Sequence, residues 1–373
     1  MIILLLIIAV LLFLYAVLLI FYWRSWKAIP IFSAKGKVAS IKISVIIAAR
    51  NEEKNITDLL HSLQQQTYPS ELFEIILVDD HSTDATVRVA RLYDNVRILS
   101  LEGGDSINSH KKKAIGLGIS AATGDLIVTT DADCVPPPAW LETIAAFKQE
   151  TNAVFIAAPV SFFCDASLLQ TFQAMDFMVL QGITGAAVFR RHLAMSNGAN
   201  LAYERKVFYE VNGFKDIDHI ASGDDMLLMH KIATKYPARI HYLKSTAAIV
   251  PTSPMITWKA FLNQRIRWAS KATQYNDRRI FPVLLLVYLV NLSFPVLLIA
   301  GCWNVHFLLY SIFFLLIKTI VELPLFANLA GFFNKHWMIR LFPLFQPLHI
   351  CYTLISGFLG QFGSYEWKGR KVK

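Results

Sequence analysis

Hydrophobic and polar positions divide this chain into stretches with different periods. Residues 1–26 open with an almost uninterrupted run of Ile, Leu, Val and Phe up to Trp23, long enough to cross a hydrocarbon core as one helix. From Ile41 the pattern changes to short apolar runs alternating with helical ones. Ile41 to Ala49 predicts a buried strand, and Asn51-Glu52-Glu53 opens a helix through about Gln65. Phe73 to Val78 predicts a second strand ending at Asp79-Asp80, after which Ser82-Thr83-Asp84 offers N-cap chemistry for a helix to about Tyr93. Val96 to Leu99, a helix over Lys111 to Ala122, and Leu126 to Thr130 continue the alternation, the last strand delivering Asp131. Ala153 to Ala158 adds another strand. The fold class expected from this is α/β, an open and mostly parallel sheet with helices on both faces.

At Ile280 the composition turns apolar again. Ile280 to Trp303 and Phe307 to Phe326 predict two membrane crossings joined by a very short turn. Leu341 to Phe362 is also long enough to span, but Pro343, Pro347 and several glycines weaken it. A crossing there would put Lys368, Arg370, Lys371 and Lys373 outside, against the charge rule, so a re-entrant or interfacial segment is expected. Ser167 to Ala187, with Asp176 its lone charge, reads as a membrane-surface helix, a lid or a core helix. The expected plan is an anchor over 1–26, a basic linker over 27–40, a catalytic domain over 41–279 and a membrane region over 280–373.

Composition agrees with a membrane protein, since apolar residues make up 55% and charged ones only 17%. The first run lacks a basic leader and a small-residue cleavage site, which favours an uncleaved anchor over a signal peptide. Arg24, Lys27, Lys35 and Lys37 follow it and none precedes it, so the positive-inside rule puts the next domain in the cytoplasm, at the cell membrane. The net charge of +9 reflects such flanks together with Lys111-Lys112-Lys113 and Arg278-Arg279. No nucleic-acid motif accompanies it, and no nucleic-acid partner is expected. The four cysteines are scattered without C-x-x-C spacing, which fits buried thiols in a reducing compartment.

The chemistry lies in acidic clusters at strand ends and loops, where a parallel sheet places ligand-binding groups. Asp131-Ala132-Asp133 directly follows a buried strand, and alternate residues of an extended segment project to one side. Two such carboxylates suit Mg²⁺ or Mn²⁺ bridged to phosphate. Asp216-Ile217-Asp218 repeats the pattern in a polar loop and reads as a solvated turn.

Taken in order, Ser44 to Glu53, Val78-Asp79-Asp80-His81-Ser82-Thr83-Asp84, Asp131-Ala132-Asp133 and Gln264-Arg265-Ile266-Arg267-Trp268 resemble the family 2 inverting glycosyltransferases of the A-type nucleotide-sugar fold. That group includes cellulose and hyaluronan synthases and ceramide glucosyltransferases. The resemblance implies a nucleotide-sugar donor, with Ala48, Arg50 and Asp80 about the base, Glu52 beside them and Lys111 near the phosphates and sugar. It implies metal binding by Asp131 and Asp133, and a general base at Asp225. Asp224 stands where relatives more often carry Glu. Gln264, Arg267 and Trp268 match acceptor and diphosphate contacts, and Asn200 an acceptor-side loop. For Glu52 and Asp84, helix-end roles compete with ligand contact. For Lys111 the alternative is a solvated basic run, and for Asp224-Asp225 it is capping of a helix over Met226 to Tyr236.

The expected activity is transfer of a sugar, from a UDP-sugar by resemblance at Asp80, to a membrane lipid or a growing saccharide. A processive polysaccharide synthase subunit, working with an export partner or as an oligomer, is the alternative. A non-catalytic membrane scaffold would lack the carboxylates that this chain keeps. A dinucleotide oxidoreductase would need G-x-G-x-x-G where Ala48-Ala49-Arg50-Asn51 stands.

Overall fold

The computed structural model describes residues 2–37, 39–102, 109–165, 167–192, 195–220, 223–270, 280–362, 365–367 and 370–372. Arg278, Arg279, Ser222, Lys368 and Lys373 therefore lie outside the described residues. The chain forms two compact units, one of residues 29–163 and 184–253, the other of residues 1–28, 164–183 and 254–373.

The first unit is α/β. Its strands are β1 (Ile43–Ala49), β2 (Phe73–Asp79), β3 (Val96–Ser100), β4 (Leu126–Asp131), β5 (Phe155–Ala157), β6 (Val160–Phe162), β7 (Leu201–Glu204), β8 (Ile240–Tyr242) and β9 (Val250–Thr252). Seven form one sheet in the order β3-β2-β1-β4-β7-β5-β8, while β6 and β9 pair separately. The first four strands run parallel, and β7 lies antiparallel between β4 and β5. Strands β1, β2 and β4 are buried over nearly their whole length, because helices cover both faces and leave no polar side.

Registers Ala48↔Asp131 and Ala49↔Asp79 bring the carboxyl ends of three neighbouring strands level. The helices around them, numbered after α1 (Ile2–Ala28) of the other unit, are α2 (Ile56–Gln64), α3 (Thr86–Ala90), α4 (His110–Ala121) and α5 (Trp140–Thr151). Next come α6 (Leu168–Phe189), which begins in the other unit, α7 (Arg205–Glu210) and α8 (Met226–Lys235). Helix α4 lies close on the sheet because Gly118 has no Cβ; one there would sit 2.6 Å from Ile46 Cγ2. That seating fixes where its first residues, His110 and Lys111, emerge.

The second unit is helical, made of α1, most of α6, α9 (Trp258–Ala269), α10 (Ile280–Gly301), α11 (His306–Phe332) and α12 (Phe342–Phe362). A short ribbon, β10 (Tyr365–Trp367) with β11 (Arg370–Val372), follows α12. Among the described residues, five helices, α1, α6, α10, α11 and α12, are long and apolar enough to cross a membrane. The last forms one helix through Pro347.

Buried charge within this unit is paired. Lys318, with no exposure, lies 2.7 Å from Glu322 Oε1 and 2.6 Å from Gln346 Oε1. Tyr15 and Gln346 both donate to Glu322. The ring therefore joins α1, α11 and α12 by hydrogen bonds that an apolar interior makes costly to leave open.

Candidate active site

The loops after β1 and β2 hold each other. Asn51, at φ 53°, accepts from Thr83 N at 2.8 Å, and its own N–H donates to Ser82 Oγ. Glu53 and Asp84 exchange similar bonds: Ala85 N donates to Glu53, and Glu53 N to Asp84. Asp84 also accepts from Thr86 N, so its carboxylate serves the start of α3. Most polar side chains of the Asn51-Glu52-Glu53 and Ser82-Thr83-Asp84 strings thus clasp two loops together.

The clasp presents Asp80, which is 4% exposed. His110 Nδ1 lies 2.9 Å and His81 Nδ1 3.1 Å from its Oδ1. A carboxylate only accepts, so both rings carry hydrogen on Nδ1. Arg50 Nη1 donates to the Asp80 carbonyl at 2.9 Å and lies 3.7 Å from Oδ1. Ala48 lies half-buried near the end of β1. Neither histidine was singled out from sequence, although each flanks a motif, directly after Asp80 or directly before Lys111. Ligand atoms of Asp80, His81 and His110 lie within 4.8 Å of one another, a set of the type that holds a borderline divalent ion such as Zn²⁺, but the hydrogens on both Nδ1 atoms occupy the Asp80 oxygen instead. The Arg50 guanidinium beside the same oxygen opposes a second cation there.

A second carboxylate group stands at the end of β4. Burial, then the neighbouring Asp131 and Glu52 charges, push the Asp133 carboxyl up to about 6. That like-charge crowding of oxygen donors is what a bound Mg²⁺ or Mn²⁺ relieves, so Asp131 and Asp133 fit such an ion. Lys111 Nζ lies 2.6 Å from Asp131 Oδ1 and 3.3 Å from Asp224 Oδ2. Burial works against the Lys111 ammonium, but Asp131 and Asp224 outweigh it and hold it charged. Lys111 is no solvated run, and neither is Lys112, which is 1% exposed and donates to the carbonyls of Ile217 and Ile220. Those bonds tie down the Asp216-Ile217-Asp218 turn.

Asp225 caps α8, accepting from Met226 N at 2.6 Å through Oδ1 and from Gly198 N at 3.2 Å through Oδ2. Two backbone donors fix its plane. Asn200 is fully buried; its amide donates to Pro159 O and Ala248 O and accepts from Trp140 Nε1. It supports the 197–200 loop from below.

Gln264, Arg267 and Trp268 lie on α9 of the helical unit, where Thr257 Oγ1 caps the helix by accepting from Ala260 N. The neighbouring Arg265 is buried, its Nη1 donating to Gln264 Oε1 and its guanidinium 4.3 Å from the Trp268 ring. Sequence reasoning passed over Arg265, yet a lone acid in the apolar α6 signals a buried partner. That acid, Asp176, is where Arg265 binds.

Residues 44–211 match the family model described as Glycosyl transferase family 2. Glycosyltransferase AglE of Haloferax volcanii is 27% identical over 190 residues, 49% of this chain and 59% of the relative. A probable glycosyltransferase of Bacillus subtilis, YdaM, is 26% identical over 241 residues, 63% and 56% of the two chains. The matches therefore span little more than half the length of these curated relatives. Among solved structures, a mannosyltransferase from Pyrobaculum calidifontis, in complex with GDP-Man and Mn²⁺, superposes with TM-score 0.58 at 18% identity. That likeness covers 95% of this chain and 98% of the other and concerns the fold. Residues 44–211 thus match a glycosyltransferase family 2 domain, on the A-type nucleotide-sugar fold.

Proposed function

We propose that this chain is an inverting, membrane-bound glycosyltransferase that moves one sugar from a nucleotide-sugar to a lipid acceptor at the cytoplasmic face. The observation that carries this reading is the alignment of Asp80 and the Asp131–Asp133 pair at the ends of the two strands flanking β1, with Lys111 linking Asp131 to the Asp224–Asp225 pair.

In this reading Asp80, oriented by His110, accepts from the base. Resemblance at Asp80 favours a uracil, and the fold relative with bound GDP-mannose makes a GDP-sugar the competing donor to include. Asp131 and Asp133 would hold a divalent cation, which would supply Lewis-acid charge for the departing diphosphate. Lys111 adds a second positive charge beside it. Asp225, held by Met226 N and Gly198 N, takes the acceptor hydroxyl proton as that oxygen bonds to the anomeric carbon and the bond to diphosphate breaks. Gln264, Arg267 and Trp268 are assigned to acceptor and diphosphate by their motif, a guanidinium suiting phosphate oxygens and an indole a sugar face. Five long apolar helices support the membrane setting and a lipid acceptor.

The test is nucleoside diphosphate release by the detergent-purified chain from a panel of UDP- and GDP-sugars, with added membrane lipids and divalent metal. Release confined to one donor, carried into the lipid fraction and lost in Asp225→Asn and Asp133→Ala, is the expected result. Label accumulating in a polymer would favour the processive synthase instead. Folded protein that binds no donor would sink the enzyme reading.

A further inference from the structure

Lys111 lies between two groups that the proposed reaction uses separately. Its Nζ is 2.6 Å from Asp131 Oδ1, in the pair read as holding the cation, and 3.3 Å from Asp224 Oδ2, beside the base. The residues either side of it are anchored. His110 is bonded to Asp80, and Lys112 is bonded to two carbonyls of the 217–220 turn. The backbone at Lys111 is therefore fixed, and its side chain, 25% exposed, is the part free to shift between the two carboxylates.

An ammonium 2.6 Å from Asp131 Oδ1 occupies one of that oxygen's lone-pair sites and repels a divalent ion placed on the same carboxylate, so the two compete for it. The displaced ammonium, left unpaired in a crowded and half-buried site, is costly. Asp224 Oδ2 is already close enough to receive it. Space for this partner is kept by Gly198, where a Cβ would stand 2.9 Å from Asp224 Oδ2 and 3.2 Å from Lys111 Nζ.

We propose that Lys111 is an internal counter-ion that Asp131 releases when a divalent cation binds, and that Asp224 is the positioning residue that receives it. The inference rests on Asp131 and Asp133 as the cation pair. It gives Asp224 a task of its own: setting how strongly Lys111 competes with the cation.

The experiment is Mn²⁺ titration of the full chain in detergent at low salt, without donor, read by electron paramagnetic resonance. Lys111→Met removes the competitor and tightens Mn²⁺ binding about tenfold. Asp224→Asn throws Lys111 wholly onto Asp131 and weakens binding about fivefold, but changes it less than about twofold in the Lys111→Met background. Gly198→Ala parts the pair without changing any charge, and weakens Mn²⁺ binding in the same direction as Asp224→Asn. An equal Asp224→Asn effect in both backgrounds would mean that Asp224 acts only through space, and would overturn the inference. So would Lys111→Met binding no tighter than the parent. Undiminished Mn²⁺ binding in Asp131→Ala and Asp133→Ala would instead remove the cation site itself, and the inference with it. Melting curves above the titration temperature establish that each variant is folded.

Discussion

Asp176 and Arg265 face each other as a buried ion pair, Nη2 2.7 Å from Oδ2, with 4% of each side chain exposed. Tyr352 also donates to Asp176, so one carboxylate joins α6, α9 and α12 within the helical unit. Removing one partner strands the other charge, whereas replacing both by apolar groups does not. Asp176→Leu or Arg265→Leu alone is expected to destabilise by about 3–5 kcal/mol, and the double variant by far less than their sum. Thermal unfolding in detergent checks it; additive losses would mean the pair is not coupled.

His110 is expected to matter for nucleotide binding more than for stability. His110→Ala leaves Asp80 without its buried donor, and UDP affinity should fall about tenfold, near the worth of one charge-assisted hydrogen bond. His110→Asn, which keeps an N–H, should recover part of it. Calorimetry with UDP reads both; equal affinity in His110→Ala would detach Asp80 from the base.

Asp133 gives a pH signature. Its carboxyl is raised to about 6 in the fold from an ordinary 3.8, so ionisation costs stability at neutral pH and nothing below the unfolded value. In chelator, Asp133→Asn should therefore stabilise at pH 8 by up to about 3 kcal/mol. The gain should shrink through pH 6 and vanish below about pH 4. A melting-temperature difference that ignores pH would contradict this environment.

Asn200 makes three buried hydrogen bonds to Trp140, Pro159 and Ala248. Asn200→Ala should cost at least about 2 kcal/mol by orphaning those groups, with donor affinity changed little in the protein that stays folded. A large loss of donor or acceptor affinity without loss of stability would give Asn200 a direct ligand contact.

The sheet was legible because period and composition act locally. Ile127-Val128-Thr129-Thr130 is buried on both faces of β4 and reads so in any context. Helix starts were less legible: the segment expected to be helical from Asn51 begins at Ile56, and the N–H groups of residues 51–53 donate across to Ser82, Thr86 and Asp84. A bond to a loop some thirty residues away leaves no periodic trace. The same holds for His81 and His110 around Asp80, and for Arg265 with Asp176. Each residue was visible, but which residue it meets depends on strand order and helix crossing. The antiparallel β7 between β4 and β5 was also unmarked, since Leu201–Glu204 is too short to carry a pattern.

The Lys318–Glu322–Gln346–Tyr15 ring bears on how the helices of this unit depend on one another. Glu322 sits on α11, its tyrosine partner on α1 and its glutamine partner on α12. Only Lys318 travels with it, one helical turn away. Helix α11 thus carries its own counter-charge but not its full set of donors. Cutting α1 away would leave Glu322 one hydrogen-bond donor short, so α1 acts as a lock on α11 as well as an apolar segment.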